Sequence, residues 1–146
     1  MEDPEILMDL NHISGAIVDS GMKVHSALGA GMLESTYEVC LMHELKKRKF
    51  DVRSQVPLPV VYDGVRLDAG YRIDLIVENL VIVELKAVER ILPIHEAQLL
   101  SYLKLSERSL GLLLNFNVVH FRNGIKRIVN NFRNSASSPS SAVHNS

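Results

Sequence analysis

The stretch that most constrains the fold is residues 72 to 88, RIDLIVENLVIVELKAV, an apolar run broken only by Asp74, the pair Glu78-Asn79, Glu84 and Lys86. β-Branched residues on both sides of a short polar loop predict a buried β-hairpin. A carboxylate or ammonium buried in such strands is costly unless its charge is matched. Any fold adopted by this chain must therefore bring something to Asp74, Glu84 and Lys86. Side chains alternate faces along a strand, so Glu84 and Lys86 share one face while Val83 and Leu85 share the other. The direction of Asp74 depends on register. A two-residue turn at Glu78-Asn79 sets Asp74 opposite Val83, with the two carboxylates on opposite faces. A longer, odd loop of Glu78-Asn79-Leu80 pairs Val77 with Val81 and Asp74 with Glu84, and Asn79 suits a left-handed conformation. The odd loop is favoured, because it also gathers Leu75, Val77, Val81, Val83 and Leu85 on one apolar face.

Like charges directly across a ladder destabilise it. Lys86 offsets part of that repulsion, and a divalent cation offsets more. Hard oxygen ligands suit Mg²⁺, commonly held by one or two carboxylates with waters and phosphate oxygens. On the hairpin alone, an ion-pair ladder at a solvated sheet margin accounts for the same three residues, so other parts of the chain must decide.

Upstream, Ile6, Leu10, Ile13, Ile17, Val24 and Leu28 recur at helical intervals and predict a long helix from Pro4 to the glycines of LGAG. A second helix is expected from about Met32 to Lys49. Leu33, Tyr37, Cys40 or Leu41, and Leu45 face inward, and the KKRK run lies at its C-terminal end, where the dipole favours cations. Three strands follow: VPLPVVY, VRLDAGYRIDLIV after the turn signal Asp63-Gly64, and LVIVELKAV. Pro57 and Pro59 put the first at an edge. PIHEAQLLSYLKLSE returns to helical spacing from Pro93. SLGLLLNFN reads as a buried strand and VVHFRNGIKRIVN as a last hairpin about Asn123-Gly124. The order ααβββαββ predicts an α/β fold, a mixed central sheet flanked by helices. The third strand, the following helix and the next strand form its right-handed crossover.

The chain has 146 residues, 47% hydrophobic and 23% charged, which suits one domain over residues 1–132. The Ser-rich remainder, 133–146, is expected to be disordered. The single Cys40 excludes an intramolecular disulfide and fits a reducing compartment. The acidic MEDPEILMDL start is unlike a signal peptide, and no stretch approaches a membrane span, so a cytoplasmic protein is expected. A net charge of −1 argues against a general nucleic-acid coat protein. Lys46 to Lys49, with Arg122, Lys126 and Arg127, still offers a local basic rim.

Two further motifs add chemistry. In QLLSY, Gln98 and Tyr102 are four apart and share a helix face. In VHSALGAGMLESTY, Gly31, Glu34 and Tyr37 follow a helix break, with His25 upstream. Taken singly, these read as a Tyr packed on the core and a Glu favoured in a first helical turn.

Together the motifs resemble the GxxExxY proteins of the PD-(D/E)XK nuclease superfamily, over roughly residues 10 to 130. Gly31, Glu34 and Tyr37 match the name-giving segment. RIDLIV…VIVELKAV is similar to the superfamily's metal motif, with Ile73 where the superfamily name has Pro. QLLSY resembles the Gln-x-x-x-Tyr signature of the RecB-like branch. The resemblance implies a restriction-endonuclease-like core. It further implies that Asp74 and Glu84 hold Mg²⁺ or Mn²⁺ with the backbone carbonyl of Leu85, and that Lys86 is catalytic. Glu34 would lie near the metal, with Gln98, Tyr102 and Tyr37 on the substrate side and His25 as a further metal ligand. The expected activity is metal-dependent phosphodiester hydrolysis of DNA. The alternative is a non-catalytic module that keeps the fold and binds nucleic acid or protein. The expected partners are nucleic acid, DNA first, and a homodimer or partner protein that supplies grip, with no membrane.

Overall fold

The computed structural model describes residues 4–131, with side chains from residue 9 onward. The tail expected to be disordered lies outside the described residues. Two helices come first, α1 (Pro4–Leu28) and α2 (Glu34–Lys47). Five strands follow: β1 (Val52–Pro57), β2 (Val60–Tyr62), β3 (Val65–Leu67), β4 (Arg72–Val77) and β5 (Val81–Lys86). The chain then forms α3 (Pro93–Ser106), β6 (Leu110–Asn115), a 3-10 turn at Phe121–Gly124, and β7 (Ile125–Val129). No helix among the described residues is long and apolar enough to cross a membrane.

The main sheet has the order β1-β4-β5-β6-β7, antiparallel except for the parallel pair β5 and β6, which α3 connects. The expected mixed sheet flanked by helices is thus observed. Helices α1 and α2 cover one face. Ile13, Ile17, Leu41 and Leu45 pack there against Leu75, Val77, Val81, Val83 and Leu85. On the other face, Leu99 and Leu103 of α3 cover Ile76, Ile82 and Leu113. Each of these buried aliphatic side chains contributes about 1.5–3 kcal/mol relative to leaving it exposed. The hairpin register is the one the odd loop requires, with Leu75 opposite Val83 and Val77 opposite Val81. Glu78 and Asn79 are both left-handed, at φ 54° and 57°.

Four expectations need correction. The predicted first strand is two strands, because Pro57-Leu58-Pro59 interrupts pairing by removing donors. The predicted second strand divides at Asp68-Ala69-Gly70, where Gly70 takes φ 80°. The pieces β2 and β3 pair only with each other in a separate ribbon. At its base, the N–H of Leu58 donates to the carbonyl of Tyr71 at 2.9 Å. Strand β1, which ends at Pro57, still lies at the sheet edge, as expected. The third correction concerns Asn123-Gly124, which is not a hairpin tip: β7 pairs back onto β6 itself. Gly124 is needed for close approach, since a Cβ there would fall 2.1 Å from the carbonyl oxygen of Asn115. Leu33, expected to face inward, is 73% exposed, because it precedes the first turn of α2.

Candidate active site

The site forms where the β1–β4–β5 ladder opens. Regular pairing of β4 with β5 runs from Val77 and Val81 to Leu75 and Val83 and then stops. At the next row, Asp74 and Glu84 replace ladder bonds with carboxylate bonds. The N–H of Asp74 donates to Glu84 Oε2 at 2.8 Å, and the N–H of Leu85 donates to Asp74 Oδ2 at 2.9 Å. The opening extends to β1. Gln55, level with Asp74, is absent from the β1–β4 pairing and adopts φ 51°. This left-handed conformation is costly for a residue with a Cβ. The Gln55 amide donates to both carboxylate oxygens of Glu38 at 3.1 Å and to Asp74 Oδ1 at 3.4 Å.

Helix α2 brings two carboxylates to this row. Glu34 opens the helix, and its Oε2 accepts the N–H of Ala87 at 3.3 Å. Glu38 follows one turn later. Four acidic side chains therefore act on one another. Burial pushes the Glu84 carboxyl up to about 8, and the charge of Asp74 adds to the rise. Asp74 is raised chiefly by burial, against the opposing bonds from Leu85 and Gln55, with the Glu34 charge adding to it. Glu38 is raised by burial, with Asp74 and Glu34 contributing. Lys86, half-buried two residues beyond Glu84, brings a positive charge whose field lowers both Asp74 and Glu84.

From the α3 side, Gln98 Nε2 donates to the Tyr102 hydroxyl at 3.1 Å. The Tyr102 phenol is raised by burial and then by the charges of Glu84 and Asp74, which face it. Tyr71, at the base of the β2–β3 ribbon, meets Tyr102 edge-on, with centroids 6.2 Å apart. Asn115 fastens the far side of the site. Its amide takes the N–H of Val88 at 3.1 Å and donates to the carbonyl of Val88 at 2.9 Å. The N–H of Phe116 also donates to the carbonyl of Lys86 at 2.9 Å, so the chain beyond Lys86 is pinned to β6.

Asp74, Glu84, Lys86, Glu34, Gln98 and Tyr102 thus gather at one end of the sheet. Two other expected site residues do not. Tyr37 is fully buried, stacked on Phe116 at 4.4 Å. Its hydroxyl donates to the carbonyl of Gly29 at 2.6 Å and accepts the N–H of Met32 at 3.0 Å. These are the contacts of a core residue that latches the loop before α2, not of a group on a substrate surface. His25 is buried against Phe121 with its Nε2 hydrogen-bonded to the carbonyl of Val118 at 2.7 Å. Among the described residues, no hydrogen bond or ion pair links His25 to the carboxylates.

Sequence reasoning missed Glu38, Gln55 and Asn115. Glu38 was detectable as the residue four beyond Glu34 on the same helix face. Asn115 was detectable as a polar residue ending a buried apolar strand. Gln55 carried no signal, because its role depends on a backbone irregularity.

The donor set fits a hard divalent cation. Carboxylates that raise one another's affinity for protons present a concentration of negative charge that Lys86 alone does not cancel. Glu84 Oε1 makes no hydrogen bond among the described residues. Still, the described residues contain no group of three or more His, Cys, Asp or Glu side chains already drawn around a common point. Any ion would rest on fewer protein side chains than that, as Mg²⁺ commonly does. No match is found among curated proteins or solved structures. Residues 11–128, most of the chain, match the PD-(D/E)XK nuclease superfamily, and the chain belongs to that superfamily.

Proposed function

We propose that this protein is a Mg²⁺- or Mn²⁺-dependent phosphodiesterase that hydrolyses DNA. The observation that carries the reading is the row of Asp74 and Glu84, each held by a backbone N–H across the opened ladder, with Lys86 two residues beyond. Asp74, Glu84 and the carbonyl of Leu85 would hold the metal. Bound there, a divalent cation supplies Lewis-acid polarisation of a phosphoryl oxygen and acidifies a coordinated water. Lys86 orients the attacking water and stabilises negative charge developing on the phosphate. Glu34 and Glu38 add acceptors on the α2 side, and the Gln55 amide bridges Glu38 and Asp74. Gln98 and Tyr102 present an amide and a phenol to the substrate. The same residues support membership of the GxxExxY group and the RecB-like branch, through Gly31, Glu34 and Tyr37 and through Gln98 and Tyr102.

Incubation of the purified chain with single- and double-stranded DNA tests this reading. Cleavage with Mg²⁺ or Mn²⁺ that disappears in EDTA and in Lys86→Ala is the expected result. No cleavage with either ion, or cleavage unchanged in Lys86→Ala, overturns it. One observation favours a second reading, a binding module without catalysis: both carboxylates already accept backbone N–H donors. Calorimetric titration with Mn²⁺ separates the two, since the nuclease reading requires a binding heat that is lost in Asp74→Asn.

A further inference from the structure

At the opposite end of the β4–β5 hairpin, two arginines converge on one neutral side chain. Arg53 Nη2 donates to Asn79 Oδ1 at 3.1 Å, and Arg108 Nη2 donates to the same oxygen at 2.6 Å. Arg108 Nε also donates to the backbone carbonyl of Asn79 at 3.2 Å. Among the described residues, neither guanidinium makes an ion pair. Glu78 is the adjacent acid, but its carboxylate takes the N–H of Asp51 at 2.6 Å. Burial lowers the Arg108 guanidinium, and the charge of Arg53 lowers it further. Two cations that cannot discharge are therefore held together without an anion.

We infer that Arg53 and Arg108 form an oxyanion site, separate from the carboxylate row, that takes a phosphate group. Each guanidinium carries five donors in a planar fork that matches phosphate. Arg108 uses two of its donors on Asn79 and Arg53 uses one, so both forks retain free N–H groups. An acidic side chain at position 79 would neutralise one of the two guanidinium charges. The amide of Asn79 instead fixes the two forks and leaves their charge available. Three extended residues, about 10 Å, separate Asp74 from Val77 at the end of β4, and Asn79 lies in the turn beyond, so this site does not share the catalytic carboxylates. The phosphate belongs either to a nucleic-acid strand or to a free phosphate ion, and the site stands whether or not the carboxylate row cleaves DNA.

The test follows the arginine side-chain Nε–H resonances of the full chain by NMR in EDTA. One arm titrates inorganic phosphate at constant ionic strength, and the other titrates a single-stranded oligothymidylate. A saturable shift of Arg53 and Arg108 in either arm, weakened at least about fivefold in Arg53→Gln, is the expected result. Saturation only with the oligonucleotide assigns a strand phosphate, and saturation only with phosphate assigns the free ion. No saturation in either arm, or equal affinity in Arg53→Gln, overturns the site. Arg53 is exposed, so the variant is expected to fold, and its backbone spectrum verifies this. Arg53→Lys, which keeps the charge and loses the fork, is expected to fall between the two.

Discussion

The two ends of the β4–β5 hairpin each collect like charges, and they tolerate them by different means. At the Asp74–Glu84 end, Glu84 is buried and Asp74 half-buried, and their repulsion can be relieved by a proton, as the rise of Glu84 to about 8 indicates. At the Asn79 end, the guanidiniums of Arg53 and Arg108 keep their protons, so relief comes only from solvent or from an anion. A single hairpin thus carries one end whose charge depends on pH and another whose charge is fixed. The acidic end is suited to a cation that competes with protons. The basic end is suited to a ligand that brings charge of its own.

Substitutions sharpen this contrast, and the largest effect falls on chemistry at the acidic end. Lys86→Ala is expected to lower DNA cleavage about 10³-fold, roughly 4 kcal/mol of transition-state stabilisation, measured by initial rates in saturating metal. Next comes the pH dependence of stability without metal. The Glu84 carboxyl titrates near 8 in the folded chain and near 4.5 unfolded, so the fold favours its neutral form. Its contribution is fully present below the unfolded value and is lost as pH rises through about 8. Denaturant unfolding in EDTA should therefore show stability falling between pH 5 and pH 8. Glu84→Gln should flatten most of that slope, with Asp74 and Glu38 keeping a remainder, and be the more stable form at pH 8, on the order of 3 kcal/mol, while losing cleavage. A flat profile in the parent chain would show that the acidic end is not strained by its own charge.

Tyr37→Phe removes one donor and one acceptor from the loop before α2 and leaves the carbonyl of Gly29 without its partner. It should cost about 1–2 kcal/mol in chemical denaturation. The smallest effect is expected at the basic end. Arg53→Gln should change stability by no more than about 0.5 kcal/mol, because losing one bond to Asn79 is offset by relief of Arg108. A loss of several kcal/mol in that variant would mean that the arginines serve mainly to brace the turn.

Much of the site was legible in the sequence because strand periodicity converts spacing into direction. Asp74, Glu84 and Lys86 interrupt an otherwise apolar pattern, and only the odd loop at Glu78-Asn79-Leu80 keeps that pattern on one face. The helix boundaries followed from Pro4, Pro93 and the glycines after Leu28. Periodicity does not, however, distinguish a side chain on a wet surface from one at the core margin. That is why Tyr37 was expected beside substrate when its ring stacks on Phe116. The separation of β2 and β3 from the sheet also escaped, because β propensity says where strands form and not which partner they choose. Gln55 and the arginine pair at Asn79 arise from long-range register and left-handed backbone, which no local spacing encodes.

The β2–β3 ribbon leaves the sheet after Pro57 and returns at Arg72, and a single bond between Leu58 and Tyr71 closes its base. Residues 61–70 are all exposed, whereas Leu58 is buried in the core and Tyr71 meets Tyr102, so length and composition can change in the outer ribbon without shifting the row that holds Asp74. An excursion of this kind separates evolvability from chemistry: what the protein grips can diverge in the ribbon while the carboxylate geometry stays constant.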